Sequence, residues 1–319
     1  MARHRTALPQ LGGGLFLADG GIETTLIFLD GLELPDFAAF TLLGSEEGRG
    51  ALQRYFRSYV DLAARFRTGL VLESATWRAS ADWGARRGYS AAELAEANRA
   101  AIAMLDELRT AAGETGVPIV ISGCVGPRGD GYVPGHTMSA DEAEAYHGAQ
   151  IRVFSESAAD LVGAITMNYV EEALGVTRAA RHAGMPVAIS FTVETDGRLP
   201  TGQSLQAAIE QVEAETDGYP AYYMLNCAHP DHFEHVLEPG QPWSRRIRGV
   251  RANASRCSHA ELNESTELDI GDPAELGRQY AGLKRAHPQL NVMGGCCGTD
   301  PRHIEQIALA CRSLFASAS

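Results

Sequence analysis

The chain has 319 residues, with 45% hydrophobic and 21% charged side chains, a balance that excludes a disordered, collagenous or coiled-coil protein. Its 27 Lys and Arg stand against 40 Asp and Glu, and the net charge of −13 disfavours nucleic acid and an anionic membrane surface as partners. No apolar run reaches the roughly 20 residues of a spanning helix, and the basic opening lacks the apolar stretch of a secretory leader, so a soluble, cytoplasmic protein is expected.

Short runs rich in Val, Ile, Leu and Phe alternate with longer segments of helical period, the pattern of repeated βα units around a parallel sheet. Strands are predicted at 15–19, 70–74, 118–123, 161–167, 186–192, 221–226, 247–252 and 290–294. Helices are predicted at 50–66, 91–112, 140–157, 171–183, 204–216, 274–286 and 301–314. Ser90 with Glu93 and Ser139 with Glu142 form capping-box pairs, and Asp272-Pro273 and Asp300-Pro301 place an N-cap before a first-turn proline. Gly113 and Gly184 fit helix ends, where a left-handed residue closes the last turn. No linker, repeat or low-complexity tract interrupts the alternation. The expectation is a single domain over 1–319, a closed (β/α)8 TIM barrel with its core at about 15–314.

Such a barrel keeps its active site at the C-terminal ends of its strands. There the sequence sets Asp19-Gly20-Gly21 after strand one, Gly123-Cys124-Val125-Gly126-Pro127 after strand three, Asn226-Cys227 after strand six and Gly294-Gly295-Cys296-Cys297-Gly298-Thr299 after strand eight. Six cysteines in so long a chain are no disulfide scaffold, which leaves thiols free for chemistry. The pair Cys296-Cys297, with glycines to free its backbone, is suited to facing one soft cation with two thiolates. Three protein ligands would leave zinc an open fourth position, the mark of a catalytic site. The helix starting near Asp300 is expected to favour thiolate over thiol through its positive end.

Simpler accounts serve elsewhere. Cys124, Cys257 and Cys311 read as small apolar residues. A disulfide between Cys296 and Cys297 would close a strained ring. His229, His232 and His235 read as a solvated helix face.

The segments Leu17-Ala18-Asp19-Gly20-Gly21, Asn226-Cys227 and Gly294-Gly295-Cys296-Cys297-Gly298-Thr299 resemble the homocysteine S-methyltransferase family, over about 15–314. The resemblance implies a (β/α)8 barrel whose three cysteines, Cys227, Cys296 and Cys297 here, hold zinc (Zn²⁺). That zinc would activate a thiol acceptor for methyl transfer, since coordination deprotonates a thiol that is otherwise mostly protonated at neutral pH. Asp19, Gly20 and Gly21 correspond to the turn that meets the amino acid, and Gly126-Pro127 matches the family's Gly-Pro.

Departures bear on the substrate. Where the family commonly carries a Glu for the ammonium of homocysteine, this chain has Ile165, followed by Thr166. Trp77 stands at a usual Tyr and Thr25 at a frequent Glu. Glu194 is the carboxylate chosen to receive the ammonium in place of Ile165, with Thr166, Asn226 and the turn at Asp19 as further substrate contacts. Glu73 reads as a structural ion pair. A chain of this length has no room for folate and cobalamin modules, so the donor is expected to be a small sulfonium or quaternary ammonium compound, its charge facing Trp77, with Trp83 and Phe191 as further candidates.

The expected function is zinc-dependent methyl transfer from a small onium donor to a thiol, homocysteine first, giving methionine. Its partners are these two small molecules, and the oligomeric state stays open. Methyl transfer to another thiol, or donor demethylation in catabolism, is the alternative among enzymes. A barrel whose zinc is only structural, with a binding or regulatory role, is the alternative of another class.

Overall fold

The computed structural model describes residues 1–315, and residues 316–319 of the expected domain lie outside the described residues. Eight parallel strands form a closed barrel: β1 Phe16–Ala18, β2 Gly69–Glu73, β3 Ile119–Val125, β4 Leu161–Met167, β5 Val187–Phe191, β6 Tyr222–Asn226, β7 Ile247–Ala252 and β8 Val292–Gly295. Each pairs with the next, and β8 returns to β1. Outside lie α1 Glu46–Phe66, α2 Ala91–Ala111, α3 Ala140–Ser155, α4 Val170–His182, α5 Leu205–Thr216, the short α6 Pro242–Arg245, α7 Pro273–Ala286 and α8 Pro301–Cys311. No helix is long and apolar enough to cross a membrane, among the described residues.

The alternation along each strand divides the core. On β3, Ile119 and Ile121 join the large cluster against the helices, while Val120 and Cys124 join a smaller one with Val71, Leu161, Ile165 and Met224 inside the barrel. The basic opening is a latch. Leu8 packs into the inner cluster, and the backbone amides of Arg3 and His4 donate to the Asp160 carboxylate at 2.7 and 2.8 Å.

Both predicted capping boxes form, and Asp272 and Asp300 cap their proline-led helices. Sequence and structure differ where glycine misleads. α1 starts at Glu46, four residues before its predicted start, because Ser45 caps it and Gly48 lets the helix lie against the Leu42 backbone. Gly184 is left-handed as expected (φ 65°), but Gly113 is not, and Gly116 (φ 69°) makes that turn instead. β8 begins at Val292, after its predicted start, because the Leu290 amide is spent on a turn to His287.

Candidate metal centre and substrate cavity

The backbone fixes the three sulfurs. Cys227 follows β6 in a left-handed conformation (φ 54°), its amide donating to the Arg251 carbonyl at 3.2 Å. At the end of β8 the Cys296 amide donates to Ala252 at 2.8 Å, and the Cys297 carbonyl accepts from Ala254 at 3.0 Å. Of the flanking glycines only Gly298 needs freedom of φ (78°). Gly294 is required for space, since a Cβ there would lie 2.7 Å from that of Ala18.

Cys227, Cys296 and Cys297 place their sulfurs within 4.8 Å of one another, the one such ligand cluster among the described residues. Cys227 and Cys297 are 3.9 Å apart, close to the roughly 3.8 Å edge set by two Zn–S bonds of about 2.3 Å at a tetrahedral angle. Cys227 is joined to Cys296 as a disulfide, so the adjacent pair considered from sequence is not the bonded one. A metal would need the reduced thiolates. With that condition the donor set, three soft sulfurs at a cavity wall, suits zinc.

At Cys297 burial outweighs the expected helix effect. Burial pushes the Cys297 thiol up, opposed by a hydrogen bond with Tyr132, whose hydroxyl lies 3.5 Å from the sulfur. The α8 N-terminus is already occupied by Asp300, whose carboxylate accepts from the Arg302 amide at 2.8 Å.

A second layer backs the sulfurs. His259 Nε2 meets the Cys227 carbonyl at 2.7 Å, its ring stacks on Tyr132 at 4.0 Å, and its Nδ1 faces the Glu194 carboxylate at 3.0 Å. Glu194 therefore holds His259 and is not among the residues that line the cavity. This corrects its expected place: the loop after β5 turns its carboxylate toward the back of the sulfur cluster. Asn226, likewise behind the wall, accepts from the Thr166 amide at 2.9 Å and the Ser190 hydroxyl at 2.6 Å, and donates to Thr166 Oγ1 at 2.8 Å.

In front of the sulfurs opens a cavity of about 280 Å³. Asp19, Gly20, Gly21, Trp77 and Thr166 line it, as do Ile165, Glu23, Glu73, Arg78, Tyr132 and Arg251. Neighbours on a regular strand face opposite sides, yet Ile165 and Thr166 both line the cavity. The β4–β5 register shifts between Ala164 and Met167, and Thr166 is left-handed there (φ 66°), which re-aims the strand end.

Asp19 is buried, accepts from the Tyr55 hydroxyl at 3.0 Å and pairs with Arg251 at 3.0 Å. Arg251 reaches Glu73 at 3.8 Å, so Glu73 sits in a buried charge group as expected. Burial outweighs that cation and pushes the Glu73 carboxyl up to about 7.

Trp77 donates its indole N–H to the Ile165 carbonyl at 3.3 Å, and the Arg78 guanidinium lies 3.9 Å from its ring centroid. Trp83 has Arg78 and Arg86 over its ring at 3.8 and 4.5 Å, and Phe191 is fully buried in the outer core, so neither offers a donor face. The reading of the histidine run also changes. His229 and His232 are buried, the latter bonded to the Arg256 carbonyl at 2.9 Å, and only His235 is exposed. Cys124 and Cys311 are packed in the core and Cys257 is half-buried.

Sequence reasoning missed Glu23, Arg78, Arg251, Tyr132 and His259. Arg251, a cation near the end of an apolar strand, was detectable. So was the Ser258–Glu261 capping box that starts the His259 helix. Tyr132 lies in the 127–139 loop, whose sequence carries no periodic signal.

The match to the family model "Homocysteine S-methyltransferase" spans residues 16–311, and the chain belongs to that family. Betaine–homocysteine S-methyltransferase 1 of Rattus norvegicus is 25% identical over 258 residues, 75% of this chain and 60% of that protein. Methionine synthase of Mycobacterium leprae is 33% identical over 139 residues, 42% of this chain and 10% of that protein. The chain thus spans less than two thirds of these relatives. The homocysteine methyltransferase MmuM of Escherichia coli, in a metallated form, superposes with a TM-score of 0.72 at 19% identity, covering 95% of this chain and 98% of that one. Its oxidised form gives a TM-score of 0.73 at 19% identity over 92% and 95%. These likenesses bear on the fold.

Proposed function

We propose that the chain transfers a methyl group from a small sulfonium or quaternary ammonium donor to a thiol, with homocysteine the acceptor and methionine the product, and that Cys227, Cys296 and Cys297 hold zinc for this purpose. The observation that carries the reading is the convergence of three sulfurs from β6 and β8 on the wall of the cavity at the barrel's C-terminal end. Zinc held there would keep a substrate thiol deprotonated at neutral pH. The transfer itself is a displacement at carbon: the acceptor sulfur forms a bond to the methyl group while the donor's bond to that methyl breaks, and the bonding pair stays on the donor's sulfur or nitrogen, which loses its positive charge.

The chain's own residues prepare this step. Gly20 and Gly21 let the backbone pass close to the cysteine loop, where a Cβ on Gly20 would lie 2.8 Å from the Thr299 carbonyl. Asp19 is held in place by Tyr55 and Arg251. Tyr132 lies beside Cys297 and closes the wall. The reading includes a cytoplasmic setting, where a reducing compartment would keep Cys227 and Cys296 available as thiolates.

The test is a screen of reduced, zinc-loaded protein with homocysteine against S-methylmethionine, glycine betaine and other methylsulfonium donors, read as methionine formed. Methionine from at least one donor is expected, lost when zinc is chelated. No transfer from any donor to homocysteine or to simple thiols, with zinc bound in full, would refute the reading.

A further inference from the structure

Two cavity residues are left over by the reading above. Glu23 lines the cavity, and its carboxylate has no ion-pair partner among the described residues. Burial pushes its carboxyl up to about 7, Asp19 raising it further, while its own backbone amide, Arg78 and Arg251 work against the shift. Asp19 and Glu73 share Arg251, whereas Glu23 has no cation of its own.

Arg78 is the complementary case. Its side chain is 4% exposed and clamped between Trp77 and Trp83, with one guanidinium N–H donating to the Gly129 carbonyl at 2.8 Å. Its Nε is buried without a hydrogen-bond partner, and its one carboxylate partner among the described residues, Asp130, is 3.9 Å away and more than half exposed. A rigid, desolvated guanidinium with free donors on a cavity wall is suited to a carboxylate.

We propose that Glu23 and Arg78 form the subsite for the zwitterionic end of the acceptor amino acid, Glu23 receiving its ammonium and Arg78 its carboxylate. The subsite compensates for Ile165, whose apolar side chain on the same wall offers an ammonium nothing. It rests on the reading of a thiol amino acid as acceptor and replaces Glu194, which is committed to His259.

Binding of three thiols to reduced, zinc-loaded protein tests it by calorimetry: L-homocysteine, 4-mercaptobutyrate, which lacks the ammonium, and 3-aminopropanethiol, which lacks the carboxylate. Wild type should bind homocysteine at least tenfold more tightly than either analogue. Glu23→Gln should weaken homocysteine and 3-aminopropanethiol by about tenfold or more and leave 4-mercaptobutyrate unchanged. Arg78→Gln, checked for folding by thermal melts, should weaken homocysteine and 4-mercaptobutyrate instead, and Arg78→Lys should restore part of that loss. A Glu23→Gln variant that weakens all three thiols equally, or none, overturns the subsite, as does a wild type that binds 4-mercaptobutyrate as tightly as homocysteine. Glu23-dependent homocysteine binding in a protein that transfers no methyl group supports the subsite and refutes only the reaction. Methylation of some other thiol, with homocysteine binding indifferent to Glu23, does the reverse.

Discussion

On one side of the cavity Cys227, Cys296 and Cys297 hang from the ends of β6 and β8, where bonds from Arg251, Ala252 and Ala254 set the backbone. The other lining residues Glu23, Arg78 and Tyr132 come from segments between strands, and side-chain contacts aim two of them: Arg78 is held by two indoles and the Gly129 carbonyl, Tyr132 by the His259 ring and the Cys297 sulfur. Metal chemistry tolerates few residue types at fixed spacing, so the sulfur side is carried by strand ends and a short motif. Substrate recognition depends on shape and charge supplied from any loop that reaches the rim, so no short motif marks its residues.

The largest expected effect tests the sulfur side. Replacing Cys227, Cys296 or Cys297 singly by Ser should weaken zinc by well over the roughly 10–100-fold typical of a second-layer change and abolish methyl transfer. Elemental analysis of dialysed protein reads it directly. Full retention of zinc by all three variants would leave the comparison without its first term.

A smaller effect should come from the buried carboxyls that line the same cavity. The Glu73 carboxyl is held at about 7 against an ordinary value of 4.5, so between these pH values the folded chain binds its proton more tightly than the unfolded chain does. Its contribution to stability is therefore fully present below pH 4.5 and is lost as pH rises from there through 7. The loss should be of order 2 kcal/mol, discounted for the coupling with Arg251 and Asp19. Glu73→Gln should flatten denaturant-derived stability between pH 5 and 8, and Glu23→Gln should remove a further part of the slope. A slope identical in wild type and Glu73→Gln would show that Glu73 stays ionised throughout.

The same division decides what the sequence revealed. β4 and β7 were legible to the residue because apolar runs bounded by turn signals leave few alternatives. The cysteines were legible because residue type alone limits their chemistry. Glu194 was placed on the correct rim but facing the wrong way, since a loop's course after β5 depends on the distant His259 helix that its carboxylate meets. Ile165 and Thr166 could not both be assigned to the wall without knowing of the register shift.

Glu194→Gln sharpens the distinction, because the two placements of this residue give opposite results. As a support for His259 and the Cys227 carbonyl, it should cost about tenfold in zinc affinity, or roughly 1.4 kcal/mol, measured by chelator competition. The preference for homocysteine over 4-mercaptobutyrate should be unchanged. A lost preference with zinc affinity intact would return Glu194 to the substrate.

The smallest effect concerns Trp77, the face proposed for the donor's cation. Its ring lines the cavity but already carries the Arg78 guanidinium at 3.9 Å, so a cationic donor gains only from what that stack leaves exposed. Trp77→Phe keeps an aromatic surface, loses the indole N–H that donates to the Ile165 carbonyl, and weakens the quadrupole. Donor affinity should fall by about 0.5–1 kcal/mol, while a neutral isostere of the donor, with carbon in place of sulfur or nitrogen, should change less. Equal losses for the charged and neutral ligands would mean that Trp77 acts through shape alone. The donor's charge would then be met by the carboxylates of the wall.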